Sequence, residues 1–532
     1  MNHSKNLRRS LTALSLFAAL LPGCGGRDAV WDAAARPVIG HGLAGSAAFV
    51  DVNAERVLLT PVEPDLTVSP VSVPMRRGYA TSQATPDGSA LLVLARGDVP
   101  REKPDDHKPG LAMIDGGTTP HLLRTYDISD PLSGLAIDPE GHFAVIYPSA
   151  ADSSFVANPN ELAIVDLDKP AGAANPTSLT LRSFGGRPEA LIFTPTLGLP
   201  GAARRLLVVL TDRDVGLIDL SEPAKGDVTV RLSTTGDRVT PVQVAVSDGD
   251  PARDDDARLA IRLAGDPGVI LVDLLASTAS NTAHDFKPTP NVVLASGPPS
   301  DVAFVNTDGG LRLAALVPSK QSLSLIDPAT GVSKDVALDA PYEHLSLVTG
   351  IVGGTASGAD VALLWSASSP YISFVALGST AGKPYKSVER LQLEQPVASV
   401  IDVPAPNDRL KILAGADGQA FFVLDLIART ASPIVSSTFG VDVSVSADGQ
   451  RSWLLKPGGS DLAALSLSNL HPQNFTLSSP LQQAFEIGRR GGGRALVAVH
   501  ADGDLGLTVL DGERPSLETA VQYHGLLLGS LR

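Results

Sequence analysis

A short apolar run ending in an acid, often followed by leucine, returns at a nearly fixed interval along this chain. Repetition of that kind restricts the fold more than any other feature a sequence can show. The run reads LAMIDG at 111–116, LAIVDL at 162–167, VGLIDL at 215–220, VILVDL at 269–274, LSLIDP at 323–328 and FFVLDL at 421–426. Weaker copies stand at 372–377, 462–467 and 507–512, and an early one, AAFVDV, at 47–52. From Asp115 the acids fall at Asp166, Asp219, Asp273 and Asp327, in steps of 51, 53, 54 and 54 residues.

A second element precedes many of these runs. It is two alternating apolar segments joined by a tight turn, as in YATSQATPDGSALLVLA (79–95), GLAIDPEGHFAVIYP (134–148), VAFVNTDGGLRLAALVP (302–318) and VDVSVSADGQRSWLLKP (441–457). Glycine after an acid suits a hairpin, because it takes the positive φ such turns need. After the acid comes another turn and a further short strand, clearest in TGVSKDVAL (330–338). One unit is therefore four short strands in about 45–55 residues, the size of a propeller blade. No long stretch carries a helical period, and the 50 glycines and 41 prolines fit a turn-rich all-β chain.

The expected fold is all-β: a single β-propeller of four-stranded blades over residues 44–532. Nine units are countable after residue 78, with a partial one at 44–75. Propellers commonly have about 4–8 blades. Eight are expected here, with seven or nine as alternatives, and segment 44–75 is expected to lend a closing strand to the last blade.

The N-terminus reads as an address. Lys5, Arg8 and Arg9 precede an apolar run, Leu11 to Leu21, too short for a permanent span, which needs about 20 residues. Leu21-Pro22-Gly23-Cys24 follows, and it resembles the lipobox of bacterial lipoproteins, with proline where a small residue is commoner. Residues 1–23 are thus expected to be a lipoprotein signal peptide, Cys24 the lipidated residue, and 24–43 a flexible tether. The resemblance implies export and a lipid anchor in a bacterial membrane, and Gly25 after the cysteine points to the outer one. Cys24 is the chain's single cysteine, so intrachain disulfides and cysteine-based metal sites are excluded.

The repeated unit is also similar to the YVTN-type and lactonase-like propellers of bacteria, over roughly residues 44–532. The tetrapeptide YVTN is absent; ALLVLA and FAVIYP occupy comparable places. The resemblance implies a fold rather than a chemistry, and no catalytic residue carries over.

Candidate chemistry is sparse. The acidic stretch 247–259, with Asp248, Asp250, Asp254, Asp255 and Asp256, invites calcium but lacks an EF-hand pattern and includes Arg253 and Arg258. No metal site is assigned there, nor among the ten scattered histidines. There is no GxSxG elbow, and Gly491-Gly492-Gly493 lacks the Lys-Ser/Thr of a phosphate loop. A net charge of −15 argues against a nucleic-acid partner. Two long neighbouring loops, 97–110 and 148–160, should emerge on one face. They bring Asp105, Asp106, His107, Asp152 and Ser153 together, with Asp105, His107 and Asp152 the candidate binding residues.

The function expected is that of an envelope-anchored, non-catalytic binding or scaffold module taking a protein, peptide or glycan ligand, with its cofactors unknown. A lactonase-like hydrolase of small molecules is the alternative, and a quinone-dependent redox enzyme a third reading.

Overall fold

A computed structural model describes residues 39–525 except 150–155, 157, 183–186, 234–236, 249–252, 278–283, 349–360, 379–383, 417, 419, 436–441 and 501–505. The expected signal peptide, Cys24, most of the tether and Asp152 lie outside the described residues.

Ten four-stranded antiparallel sheets follow one another along the chain, so the β-propeller has ten blades rather than eight. Blades 1 to 10 span 39–74, 79–127, 134–180, 190–231, 241–294, 301–337, 344–392, 397–434, 442–476 and 481–523. The expectation of a strand lent by 44–75 is corrected too. Residues 39–74 make a complete blade whose first strand, Ile39–Gly42, begins inside the stretch read as tether. A closing strand is unnecessary because blade 10 is also complete.

Each blade reads out the sequence unit. Apart from the early run at 47–52, which is the second strand of blade 1, the acid-ended runs are third strands, among them Gly110–Asp115, Glu161–Asp166, Asp214–Asp219 and Phe421–Asp425. The recurring acid serves the turn that follows: Asp327 Oδ1 accepts the N–H groups of Ala329 and Thr330, and Asp425 and Asp511 do the same two and three residues on. Aspartate is favoured in turns for this bond. The turn between first and second strands has its own lock. Thr85 Oγ1 donates to Asp87 Oδ1, and Ser446 Oγ to Asp448 Oδ1, with Gly88 and Gly449 at positive φ.

Second strands are buried almost throughout, as in Ala90–Ala95 and Leu206–Leu210, whereas outermost strands such as Leu122–Asp127 are largely exposed. An apolar cluster fills each of the ten blade-to-blade interfaces. The last of them packs Phe49, Leu58 and Val62 of blade 1 and its loops against Ile487, Val497 and Val509 of blade 10, which closes the ring. Polar ties reinforce that seam. Gly488 N donates to Ala44 O at 2.8 Å, Arg490 N to Val62 O at 2.9 Å, and the Arg490 guanidinium reaches Glu63 and the Thr118 carbonyl.

First strands adjoin one another from blade 10 through blades 1 and 2 to blade 3, and from blade 5 through blade 6 to blade 7, so first strands form the wall of a central channel. Strand direction alternates within a blade. Turns joining strands two and three therefore share one face with the connections between blades; the other two turns of each blade lie on the opposite face.

Candidate functional site

The loop between strands two and three of blade 2 is held shut at its neck. Gly97 sits at φ +70°, and a Cβ there would lie 2.1 Å from the His107 carbonyl oxygen, so only glycine fits. Asp98 N donates to that same carbonyl at 3.0 Å. In return the Asp98 carboxylate accepts the backbone N–H of His107 at 2.9 Å and meets its Nδ1 at 2.8 Å. The His107 backbone N–H, then its ring, hold the Asp98 carboxyl below the usual carboxylate range. At the loop tip Asp106 Oδ2 accepts the N–H groups of Glu102 and Lys103, both at 2.7 Å.

The pinned loop forms one wall of a pocket of about 390 Å³. The blade 2 to blade 3 connection, Ser129-Asp130-Pro131, forms the other. Arg96 and Arg101 line it with Asp98 and Asp130, and Val99, Pro100, Pro109 and Pro131 supply apolar walls. Rigid pyrrolidine rings between charges of both signs make a concave site with little side-chain freedom to lose on binding.

Behind Asp130 stands Glu161, at the start of a third strand of blade 3. Burial, then the hydrogen bond and charge of Asp130, push the Glu161 carboxyl up to about 7. Two carboxyls in contact resist double ionisation, which is why Glu161 gives up its proton late.

Asp105 and His107 fall on the loop that walls the pocket without lining it. His107 is a pin of the loop neck, and Asp105 is exposed at the tip. The lining residues Arg96, Asp98, Arg101 and Asp130 read in sequence as ordinary turn residues. The one signal available was that 97–110 and 127–134 must emerge side by side. The acidic stretch 247–259 is put to structural use where it is described: Asp248 accepts the N–H of Gly198 at 2.7 Å, and Asp255 pairs with Arg253. The opposite face carries a groove of about 440 Å³ where first turns of blades 10, 1 and 2 meet. Its charges are engaged with one another: Glu486 accepts from Arg494 at 2.8 Å and from Trp453 Nε1 at 2.6 Å.

No protein-family model matches the chain, and no curated protein matches it in sequence. Among solved structures it is similar to dihydro-heme d1 dehydrogenase NirN, at 10% identity over 83% of this chain and 75% of that one, with a TM-score of 0.40. AztD from Citrobacter koseri is similar at 12% identity over 74% of this chain and 95% of that one, TM-score 0.33. The β-propeller domain of Myceliophteria thermophila Cps50 (Swd1) is similar at 16% identity over 65% and 95%, TM-score 0.33. The class rests on the chain's own ten sheets: this is an all-β propeller protein. Its blades are cut from consecutive sequence, and the pinned loop pocket lies on the face of the inter-blade connections.

Proposed function

We propose that the protein is a bacterial envelope lipoprotein, tethered through Cys24, whose propeller captures a short segment of a protein, peptide or glycan in the pocket between blades 2 and 3. The observation that carries this reading is that pocket: Arg96 and Arg101 opposite Asp98 and Asp130 between proline walls. Fixed charges of both signs suit a ligand with polar groups of both kinds, and such pairs fix orientation more than they add affinity. The sequence around Cys24 supports the tether, and more than one acyl chain holds a protein far more firmly than a single chain does.

The test is a crosslinking pull-down from envelope membranes with native protein, Cys24→Ala and Arg101→Glu. Native protein is expected to capture a reproducible set of partners that Arg101→Glu loses and that Cys24→Ala, shed from the membrane, no longer meets. Capture undiminished in Arg101→Glu overturns the pocket as the site; membrane retention of Cys24→Ala overturns the anchor.

The lactonase-like reading draws on Asp130, which lines that pocket, and on Glu161 behind it. A carboxyl pushed up to about 7 beside a carboxylate is an acid–base pair poised for hydrolysis at neutral pH.

A further inference from the structure

The first strands of blades 1 and 2, Ile39–Gly42 and Tyr79–Ala84, stand side by side at the channel wall. Between them His41 Nε2 lies 2.7 Å from Ser82 Oγ, and Tyr79 Oη lies 2.9 Å from the same oxygen. We propose that Ser82 is an acyl-transfer nucleophile with His41 as its base, acting on small carboxylic esters that enter the channel. This centre is separate from the loop pocket, and it goes beyond the binding role proposed above.

Two features of the chain aim these side chains. Three residues apart on a regular strand, Tyr79 and Ser82 would point to opposite faces. The pairing register slips between Tyr79 and Thr81, and that bulge shifts the parity so that phenol and hydroxyl meet. Bulges re-aim side chains in this way beside active sites. His41 is placed by its two glycine neighbours. A Cβ on Gly40 would lie 2.7 Å from Gln483 Oε1 and 3.1 Å from the Phe485 ring, both of blade 10, and one on Gly42 would lie 2.9 Å from Phe485 Cβ. Phe485 thus fills the side of the strand where both neighbours lack side chains, and the imidazole lies on the other, toward blade 2.

The electrostatics suit the roles. Burial holds the His41 imidazole below its ordinary value, so it is neutral at pH 7 and accepts a proton. Burial pushes the Tyr79 phenol up, against the opposing effect of Ser82, so it stays protonated and donates to Oγ. The strand Tyr79–Ala84 is bonded to Ala90–Ala95 on one side only. Alternate N–H groups on its channel edge therefore have no strand partner, and they are the donors available to a developing oxyanion.

In the tautomer with Nδ1 protonated, Ser82 gives its proton to His41 Nε2 as Oγ bonds to the ester carbonyl carbon. The carbonyl electron pair moves to oxygen. When it returns, the bond to the alkoxide breaks and His41 passes the proton to that leaving group, which leaves acyl-Ser82. Water then attacks the acyl carbon and gives a proton to His41. The Oγ–carbon bond breaks, Ser82 recovers the proton, and the net reaction is ester plus water to acid plus alcohol.

The test treats the full-length protein with a fluorophosphonate probe, maps the labelled peptide, and follows p-nitrophenyl acetate hydrolysis. Label is expected on Ser82. Ser82→Ala should lose both label and turnover, and His41→Gln should slow both by about 100-fold, the usual worth of a positioned base. The rate should be level from pH 7 to 8 and fall only on the acid side of the ordinary histidine value. Ser82→Cys, alkylated by iodoacetamide in a His41-dependent manner, reports the same pairing without reliance on the alanine variant. Native protein left unlabelled at Ser82, or Ser82→Ala hydrolysing at the native rate, overturns the assignment.

Discussion

The seam between blades 3 and 4 offers the clearest measure of what holds neighbouring blades together. Arg205 enters the second strand of blade 4 and grips Asp138, in the first turn of blade 3, with both terminal nitrogens: Nη1 to Oδ2 at 2.7 Å and Nη2 to Oδ1. Asp138 is fully buried and the Arg205 side chain is 11% exposed. Arg205→Met keeps the length of the side chain and removes its charge. The stranded carboxylate then keeps only the N–H groups of Glu140 at 3.3 Å and His142 at 3.2 Å. Breaking a buried pair costs about 3–5 kcal/mol, and these two long bonds place the loss near the lower end, about 3 kcal/mol. Unfolding entropy of about 2.1 cal/mol/K per residue gives about 0.9 kcal/mol/K for roughly 430 described residues, so the expected fall in Tm is about 3 °C. Differential scanning calorimetry resolves that. Adding Asp138→Asn removes the buried charge and should recover most of the loss. A single variant within 1 °C of native, or a double variant no better than the single, would refute the claim that charge burial sets the strength of this seam.

Glu161→Gln tests the raised carboxyl. A carboxyl held at about 7 in the fold and near 4.5 when unfolded keeps its proton longer in the native state. Its contribution is whole at low pH and is lost as pH rises from about 4.5 through about 7. Native Tm should fall between pH 5 and pH 8, and Glu161→Gln should flatten that fall. Gly449→Ala should destabilise by about 2 kcal/mol or more, read by the same calorimetry. Its φ is +64°, and its Cβ would lie 2.2 Å from the Pro404 carbonyl oxygen of the neighbouring blade.

The blades were legible because each carries its own local chemistry. The recurring aspartates mark third-strand ends because they bond their own turns, and the Asp-Gly pairs mark first turns because glycine takes the positive φ. Ring size was less legible. Nine units and a partial tenth were visible in the sequence, but how commonly rings of each size occur outweighed the count. The early acid-ended run at 47–52 is the second strand of blade 1 rather than the third, which hid that blade 1 is complete. The loop pocket was half legible: loop length pointed to 97–110, whereas Asp130 came from the connection beside it, and only the folded chain joins them. His41 and Ser82 are 41 residues apart and match no local motif. They meet because each sits on a first strand, and a one-residue slip between Tyr79 and Thr81 decides which way the second of them points.

Each blade is drawn from one unbroken stretch of chain, and the first and last are no exception. A ring closed by strand sharing ties its two end units to each other, so gain or loss of a unit disturbs the closure. Here a duplication of some fifty residues, on the order of one blade, leaves every existing hairpin as it was. With ten blades each step around the axis turns through about 36°, and an eleventh would trim that by about 3°, well inside the roughly 10–35° spread of strand twist. Blade number in such a lineage is thus free to drift by ones through tandem copying, and close descendants of one ancestral ring need not agree on it.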